Sequence, residues 1–283
     1  MRLTLAALIC TLACPGIAQA PFASFDRASE PVLNDPHDLT IGPDGRLYIA
    51  DKFNNSIAVM DAQTLDLLEV IGENELPGVH DVSFGPDGRL FAAATGLGAV
   101  VSYARFNGSY TQDYALGRFP RTEGALAHSN GQIYVMASGI GQLVAMNNGE
   151  AVNAVQGMPG AHDVAEALDG TIWVADTNAA RLVQFSETLE LLTVLDDVKY
   201  GFRGPRYLDV DDFGRLVVAD QDAHRVLMID PISGDLLGII GDGKPGLGPN
   251  KFDDPEGVAV RGTTYYFSDS DNNRVVRYVV VTN

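Results

Sequence analysis

The sequence predicts an all-β fold, a six-bladed β-propeller closed by its N-terminal strand. Turn glycines recur at intervals of 39 to 48 residues, which is the period of a propeller blade. Between these glycines short apolar runs alternate with turns, and no long amphipathic helical pattern interrupts them. The recurring glycines are Gly45, Gly88, Gly131, Gly170, Gly214 and Gly262.

Each repeat opens with an apolar strand and a turn, followed by a second strand rich in β-branched, aromatic and small residues. The turn is GPDGR at 42–46 and again at 85–89, and Pro-Asp-Gly is typical of a tight turn. Runs that are largely apolar are typical of strands buried on both faces. The second strands are LYIAD (47–51), LFAAA (90–94), IYVMA (133–137), IWVAD (172–176), LVVAD (216–220) and YYFSD (265–269).

A third strand follows in every repeat and a fourth in the first five, for example at 65–72 and 235–241. The sixth repeat ends after its third strand, whereas the segment 21–29 precedes the first repeat and has none of its own. We expect this segment to supply the outer strand of the last blade, because that pairing closes the ring and removes an exposed edge. Residues 21–283 are therefore predicted to form one propeller domain.

Three repeats carry the pattern Asp-x-x-x-x-Arg between their second and third strands. The pairs are Asp176 and Arg181, Asp220 and Arg225, and Asp269 and Arg274. Together with the GPDGRLYIAD segment, this pattern resembles the NHL-repeat propellers over roughly residues 34–283. The resemblance implies the fold; it leaves the function open, because one fold serves enzymes, sensors and binding platforms. We expect the Asp and Arg pairs to be ion pairs that close a turn within each blade.

Residues 1–20 have the layout of a secretory signal peptide. Arg2 is followed by an apolar run from Leu3 to Cys14, which is too short to span a membrane, and then by small residues. Cleavage after Ala20 and cleavage after Ala18 are both open, and lipid attachment at Cys14 is a further alternative. The segment predicts a secreted or periplasmic protein. Both cysteines lie within it, so the mature chain has no thiol chemistry.

The acidic composition limits the partners that the protein can have. Removal of residues 1–20 leaves 18 basic against 37 acidic residues, a net charge of −19. Such a charge disfavours nucleic acid and anionic membrane surfaces. It is compatible with cation binding. We expect a small molecule or a peptide at the channel mouth, or a protein partner, with no membrane insertion.

One register of the repeat carries an ionisable residue in all six blades. The register opens the first strand of each blade, which is the innermost strand of a propeller, so its side chains are expected to form a ring at the mouth of the central channel. The flanking positions are mostly apolar. The ring residues are His37, His80, Glu123, His162, Arg206 and Glu256.

Neutral imidazoles with a carboxylate suit zinc or a similar transition metal. We expect His37, His80 and His162 to converge on one ion, with Glu123 or Glu256 as a fourth ligand or a general base. Arg206 is a candidate for holding an anionic substrate in a bidentate contact. The alternative is a hydrated polar channel in which these side chains pair with one another.

An aspartate follows each ring histidine, at Asp38, Asp81 and Asp163. Adjacent strand residues face opposite sides, so these carboxylates are expected to reach the neighbouring blade or to cap its turn. Orientation of the imidazoles is the other use that the pattern allows.

The PHDL and HDV segments in an NHL context resemble peptidyl-α-hydroxyglycine α-amidating lyase. The resemblance implies a catalytic zinc on His37, His80 and His162, and a channel calcium for which the Leu39 carbonyl and Asp163 are candidates. This sequence departs from the family because its histidines come from blades one, two and four rather than from alternate blades. The family's catalytic arginine and tyrosine have no matching motif.

Several function classes follow from these observations. The first is a metal-dependent enzyme, a lyase or a lactonase-like hydrolase, with Glu123, Arg206 and Tyr207 as candidate catalytic residues. The second is a propeller that binds a ligand or a metal without catalysis. The third is a protein-interaction platform on the mouth face.

Overall fold

The computed structural model describes residues 22–281, and the predicted signal peptide lies outside them. The described residues form six antiparallel sheets of four strands each, which confirms the predicted six-bladed propeller. Blades one to five take their four strands in chain order, as β2–β5, β6–β9, β10–β13, β14–β17 and β18–β21. The innermost strands of blades one to six are β2 (Pro36–Ile41), β6 (Val79–Phe84), β10 (Thr122–Ala127), β14 (Val164–Glu166), β18 (Pro205–Val210) and β22 (Pro255–Arg261).

The second strands are the most deeply buried, because apolar residues on both of their faces pack between neighbouring blades. They are β3 (Leu47–Asp51), β7 (Leu90–Ala94), β11 (Ile133–Ala137), β15 (Ile172–Asp176), β19 (Leu216–Asp220) and β23 (Thr264–Asp269). The third strands are β4 (Ser56–Met60), β8 (Ala99–Phe106), β12 (Gln142–Asn147), β16 (Arg181–Phe185), β20 (Arg225–Ile229) and β24 (Arg274–Val281).

The outer strands are the most exposed. They are β1 (Phe22–Ala28), β5 (Leu67–Ile71), β9 (Ser109–Gly117), β13 (Glu150–Gln156), β17 (Leu191–Leu195) and β21 (Leu236–Ile240). The second and third strands are joined in five blades by one turn of 3-10 helix, at Lys52–Asn54, Ser138–Ile140, Thr177–Ala179, Gln221–Ala223 and Ser270–Asn272.

The ring is closed by the N-terminal strand, as predicted. Strand β1 pairs antiparallel with β24, so blade six has the order β1-β24-β23-β22. The inner strands of neighbouring blades contact one another in a complete cycle, from β2 through β22 and back to β2. This cycle places the starts of all six inner strands around one end of the channel.

The Asp-x-x-x-x-Arg pairs are ion pairs within single blades, as expected. The N–O distances are 2.7 Å for Asp176 and Arg181, 2.9 Å for Asp220 and Arg225, and 2.7 Å for Asp269 and Arg274. Their role is structural.

Candidate functional site at the channel mouth

The ring side chains are buried at the mouth of the channel. The most exposed of the six belongs to Arg206, at 18%, and His37 is completely enclosed. Ionisable groups are rarely buried without a partner. The contacts among these six residues therefore decide what the site can do.

Glu123 lies between two of the histidines. Its Oε2 is 3.1 Å from Nε2 of His80 and 4.0 Å from Nε2 of His162. Its other oxygen, Oε1, accepts a hydrogen bond of 3.1 Å from Arg121, whose side chain is largely exposed. One carboxylate oxygen is thus held by the rim, and the other faces the two imidazoles.

Glu256 lies between His37 and Arg206, as Glu123 lies between His80 and His162. Its Oε2 is 2.6 Å from Nδ1 of His37, and its Oε1 is 3.6 Å from Nε of Arg206. The short contact to His37 is not aligned with a ring N–H, so Oε2 of Glu256 has no hydrogen-bond partner. Asp35 completes this side, with its carboxylate 3.5 Å from Nε2 of His37.

The ring therefore consists of two related halves of three blades. Each half is centred on a glutamate that lies between two nitrogen-bearing side chains, and each glutamate is followed by a glycine. A Cβ at either glycine would meet the backbone of the next blade, so both positions need glycine for close packing. The two halves are His80, Glu123 and His162, and Arg206, Glu256 and His37.

Hydrogen bonds assign the tautomers of His80 and His162. The Thr95 hydroxyl donates to the Thr122 carbonyl and the Thr177 hydroxyl donates to the Pro205 carbonyl, so each oxygen must accept from the imidazole beside it. Nδ1 of His80 is 2.9 Å from Thr95 Oγ1, and Nδ1 of His162 is 3.0 Å from Thr177 Oγ1. Nδ1 therefore carries the proton in both rings.

The other nitrogen, Nε2, presents a lone pair to Glu123 in both rings. Burial lowers the pKa of His80 and of His162 to about 2, so both are neutral at physiological pH. Nε2 of His162 and Oε2 of Glu123 have no hydrogen-bond partner. Lone pairs that face one another in a buried site repel unless a proton or a cation lies between them. Burial raises the pKa of Glu123, which favours a proton there when no cation is bound.

His37 has different electrostatics. Burial opposes its charged form, but the carboxylates of Glu256 and Asp35 outweigh burial and raise its pKa. Lys52 binds the same Asp35 carboxylate at 2.7 Å. His37 is therefore an imidazolium between two carboxylates when no cation is bound.

The three ring histidines do not meet at one point. Among residues 22–281, the one set of three His or acidic residues whose ligand atoms all lie within 4.8 Å of one another is Asp35, His37 and Glu256. His80 and His162 flank Glu123, whereas His37 belongs to the opposite half of the ring. Sequence reasoning had missed Asp35, which lies two residues before the ring register.

Arg206 and Tyr207 differ in their access to the mouth. Arg206 donates a hydrogen bond of 2.9 Å to Gln221, and its Nε has no partner. Tyr207 is fully buried, and its hydroxyl donates to the His80 carbonyl at 3.0 Å. This placement suits a residue that positions the ring, and it gives Tyr207 no access to a substrate at the mouth.

The aspartates after the ring histidines join neighbouring blades, as expected. Asp81 accepts the N–H of Ala125 at 2.7 Å, and Asp163 accepts the N–H of Leu208 at 2.7 Å. Asp38 accepts the N–H of Val82 at the longer distance of 3.5 Å. Burial raises the pKa of Asp81 to about 7, and burial and neighbouring carboxylates raise that of Asp163.

Comparison with known proteins gives one match to a repeat family and a set of solved structures with the same fold. Residues 33–60 match the NHL repeat. The stretch contains β2, β3 and β4 of blade one. A sequence comparison with curated proteins finds no significant match.

Solved propeller structures align over most of the chain. Virginiamycin B lyase from Staphylococcus aureus is 12% identical with a TM-score of 0.64, covering 92% of this chain and 100% of the lyase. A catalytically inactive histidine-to-alanine variant of that lyase, with quinupristin, is 13% identical with a TM-score of 0.66, covering 93% and 88%. An auxiliary nutrient binding protein from Bacteroides thetaiotaomicron is 12% identical with a TM-score of 0.72, covering 93% and 77%. At these identities the likeness shows the fold alone.

Within residues 22–281 no helix combines the length and the apolar character that a membrane crossing requires.

Proposed function

We propose that the ring binds one divalent transition metal ion between His80, Glu123 and His162, and that this centre catalyses a lyase reaction on an anionic substrate at the channel mouth. The observation that carries the proposal is the orientation of two bare imidazole nitrogens toward one carboxylate oxygen in a buried site. Zinc is the ion that this donor set fits best.

The distances support a shared ion. Two ligands bound tetrahedrally at about 2.0–2.1 Å lie roughly 3.3 Å apart. The separations of 3.1 and 4.0 Å between Glu123 Oε2 and the two imidazole nitrogens bracket that value, whereas the two nitrogens lie more than 4.8 Å apart, so a bound ion would draw the two rings together. The Nδ1 hydrogen bonds to Thr95 and Thr177 are the outer contacts that orient metal-binding histidines.

The other half of the ring supports the anionic substrate. Arg206 is a buried guanidinium with a free Nε, which suits a carboxylate or another oxyanion. Glu256 is paired with the imidazolium of His37, at 2.6 Å between Oε2 and Nδ1, and this pair suits the transfer of a proton to or from a substrate. A bound metal ion would polarise an oxygen of the substrate. In an elimination, the metal half would polarise the substrate oxygen, and the other half would bind the anionic group and transfer the proton.

Metal binding is tested on the purified, untagged mature protein. We expect one zinc or cobalt ion per chain by elemental analysis and titration, and loss of that ion in the double variant H80A/H162A. The control is H224A, because His224 is a partly exposed histidine outside the ring. Wild-type protein that takes up no zinc or cobalt would contradict the proposal.

The reaction is tested with an N-acyl-α-hydroxyglycine, the substrate class that the amidating-lyase resemblance implies. Cleavage of its C–N bond yields the primary amide and glyoxylate, and the substrate carries the carboxylate that Arg206 would hold. We expect metal-dependent release of glyoxylate and its loss in R206Q. Metal binding without release of glyoxylate would contradict the proposed lyase reaction and leave only the proposed metal site.

A second candidate is a propeller that binds a ligand without catalysis. It is favoured by the depth of the ring, since none of its six side chains exceeds 18% exposure. The likeness to a nutrient binding protein is compatible with this alternative.

We also propose that the protein is exported to the periplasm or the exterior, on the basis of residues 1–20. The intact mass of periplasmic or secreted protein tests this, with an N-terminus expected at residue 19 or 21. A mass that begins at Met1, or a lipid on Cys14, would contradict it.

A further inference from the structure

A pocket of about 530 Å³ lies between blades two and three, at the end of the molecule opposite the ring. It is lined by the turn that follows β6 and by the turn between β12 and β13, together with side chains of the strands between them. Its volume is that of a small-molecule site, and apolar and aromatic side chains form its walls. The wall residues include Phe91, Tyr114, Leu116, Ile133 and Met146.

The repeat explains why this pocket exists. In the equivalent space between blades one and two, the chain packs two of its own aromatic rings around Tyr48. Phe84 is 4.8 Å and Tyr110 is 5.8 Å from Tyr48 between ring centroids, both edge to face. That space is full, and the three rings join one hydrophobic cluster.

Blade three lacks both filling rings. Ala127 pairs with the first residue of its second strand, where Phe84 makes the same pairing in blade two. Strand β12 is two residues shorter than β8, so the hairpin turns at Asn148 and Gly149 before a counterpart of Tyr110 can form. The pocket is therefore the volume of one or two aromatic rings that the chain does not supply.

The polar groups indicate what kind of ring fits. In blade one the Tyr48 hydroxyl donates to Asp44 at 3.0 Å and accepts from Arg46 at 3.0 Å. In blade two the corresponding turn supplies Asp87 and Arg89, but Phe91 stands in the place of Tyr48 and offers no hydroxyl. Asp87 keeps its ion pair with Arg89 at 3.1 Å and has no hydroxyl partner.

We propose that this pocket binds a small phenolic compound. The aromatic ring lies over Phe91 and against Tyr114, in the space that Phe84 and Tyr110 fill in the preceding groove. The hydroxyl donates to Asp87 from the Tyr110 side of the groove; in the preceding groove the Tyr110 hydroxyl lies 3.5 Å from the Tyr48 hydroxyl that binds Asp44. The site is independent of the ring at the channel mouth.

The test uses p-cresol as the probe, in ligand-observed NMR titrations of the mature protein. For a ligand of this size we expect a dissociation constant on the order of 1 mM. The variant A127F places a ring where blade two has Phe84, and it should abolish binding. The control V198F adds a ring at an exposed site outside the pocket and should bind p-cresol like the wild type.

Two further measurements make the proposal specific. Methylation of the hydroxyl, in 4-methylanisole, removes the donor and should weaken binding about threefold, because the Asp87 side chain is 59% exposed and water competes for it. Amide shifts induced by p-cresol in the wild type should map to Phe91, Tyr114 and 127–133, which tests the site even if A127F does not fold. The proposal is overturned by amide shifts elsewhere, by equal affinity for cyclohexanol, or by p-cresol binding that survives in folded A127F. Self-association of the wild type that A127F abolishes would also overturn it, because the pocket would then bind a second copy of the chain.

Discussion

Two threonine hydroxyls, together with the backbone carbonyls of Gly78 and Gly160, fix the tautomers of His80 and His162. Thr95 and Thr177 each bind a carbonyl of the next blade and thereby leave only an acceptor for the imidazole. A proton on Nδ1 follows, and Nε2 becomes the free ligand atom of His80 and His162. The residue that follows the second strand thus supplies a hydroxyl that orients a histidine ligand of the proposed metal site.

Replacement of Thr177 by valine should weaken metal binding. The variant removes one of the two acceptors of the His162 Nδ1–H and leaves the Gly160 carbonyl, so we expect metal affinity to fall by about 10-fold. The control is S270A, because Ser270 has the same register and donates to the Pro36 carbonyl at 2.6 Å without touching an imidazole. The measurements are a zinc titration and the ¹⁵N shifts of His162, which report its tautomer. Unchanged affinity in T177V would show that the hydroxyl does not orient a ligand.

Asp209 gives the stability of the propeller a pH dependence. It is buried beside β22, and its oxygens accept the N–H groups of Val210 and Val260 at 2.7 and 2.8 Å. Burial, with smaller effects of Asp211 and Asp212, raises its pKa to about 6. An unfolded aspartate titrates near 3.9, so the folded protein binds the proton more tightly.

The free energy of unfolding should therefore fall as the pH rises from about 4 through 6, because the folded protein holds more protons in that window. The side chain of Asn in the variant D209N carries no charge at any pH, so the variant should not show this fall in the free energy of unfolding. Its stability relative to the wild type should rise by about 2 kcal/mol between pH 4 and pH 7. Urea denaturation at a series of pH values measures the difference. A difference that does not vary with pH would show that Asp209 is not strained by ionisation.

Strand β1 is the element on which closure of the propeller depends. It covers the edge of β24, and Phe25 packs on Tyr278 with 5.6 Å between ring centroids. Unpaired edges are costly, and they invite association with other chains.

The variant F25A should lower the free energy of unfolding by about 2 kcal/mol, because Phe25 is partly buried and its truncation removes the contact with Tyr278. S24A is the control on the same strand, since Ser24 is exposed and its loss should change stability by at most about 0.5 kcal/mol. Chemical denaturation compares both with the wild type. A truncation that begins at Val32 should have a melting temperature well below that of the mature chain. Equal melting temperatures would show that β1 does not stabilise the closed propeller.

At the scale of the whole molecule, the ring combines two halves with different chemistry. Glu123 lies between two neutral imidazoles, whereas Glu256 lies between an imidazolium and a guanidinium. The difference rests on two positions, since Arg206 stands where the first half has His80, and Asp35 lies two residues before His37 where Gly160 lies before His162. One half is thus suited to a cation and the other to an anion.

Exchange of Arg206 for histidine should make the second half more like the first. In R206H, Glu256 would lie between two imidazoles, as Glu123 does, and the positive charge that repels a cation would be gone. We expect the zinc stoichiometry to rise from one to two ions per chain, measured by titration and elemental analysis. R206Q is the control, because it removes the charge without adding a ligand. A stoichiometry of one in R206H would contradict the equivalence of the halves.

The sequence predicted the blades and the height of the ring, because a repeat of constant period puts equivalent residues at equivalent points of equivalent strands. It also contained a sign of the two halves, namely the glycine after Glu123 and after Glu256. It did not single out Asp35, Thr95, Thr177 or Gln221, which belong to loops and turns whose path toward the ring has no periodic signature.

What the sequence determined by itself is the fold, its closure by the N-terminal strand, and the six residues of the ring. These depend on local pattern and period, which a single chain displays directly. The tertiary structure decided which carboxylate each histidine faces, which ring nitrogen carries the proton, and which groove between blades is left open. These depend on contacts between blades, where side chains about 40 residues apart or more meet, and burial there sets both their charge and their partners.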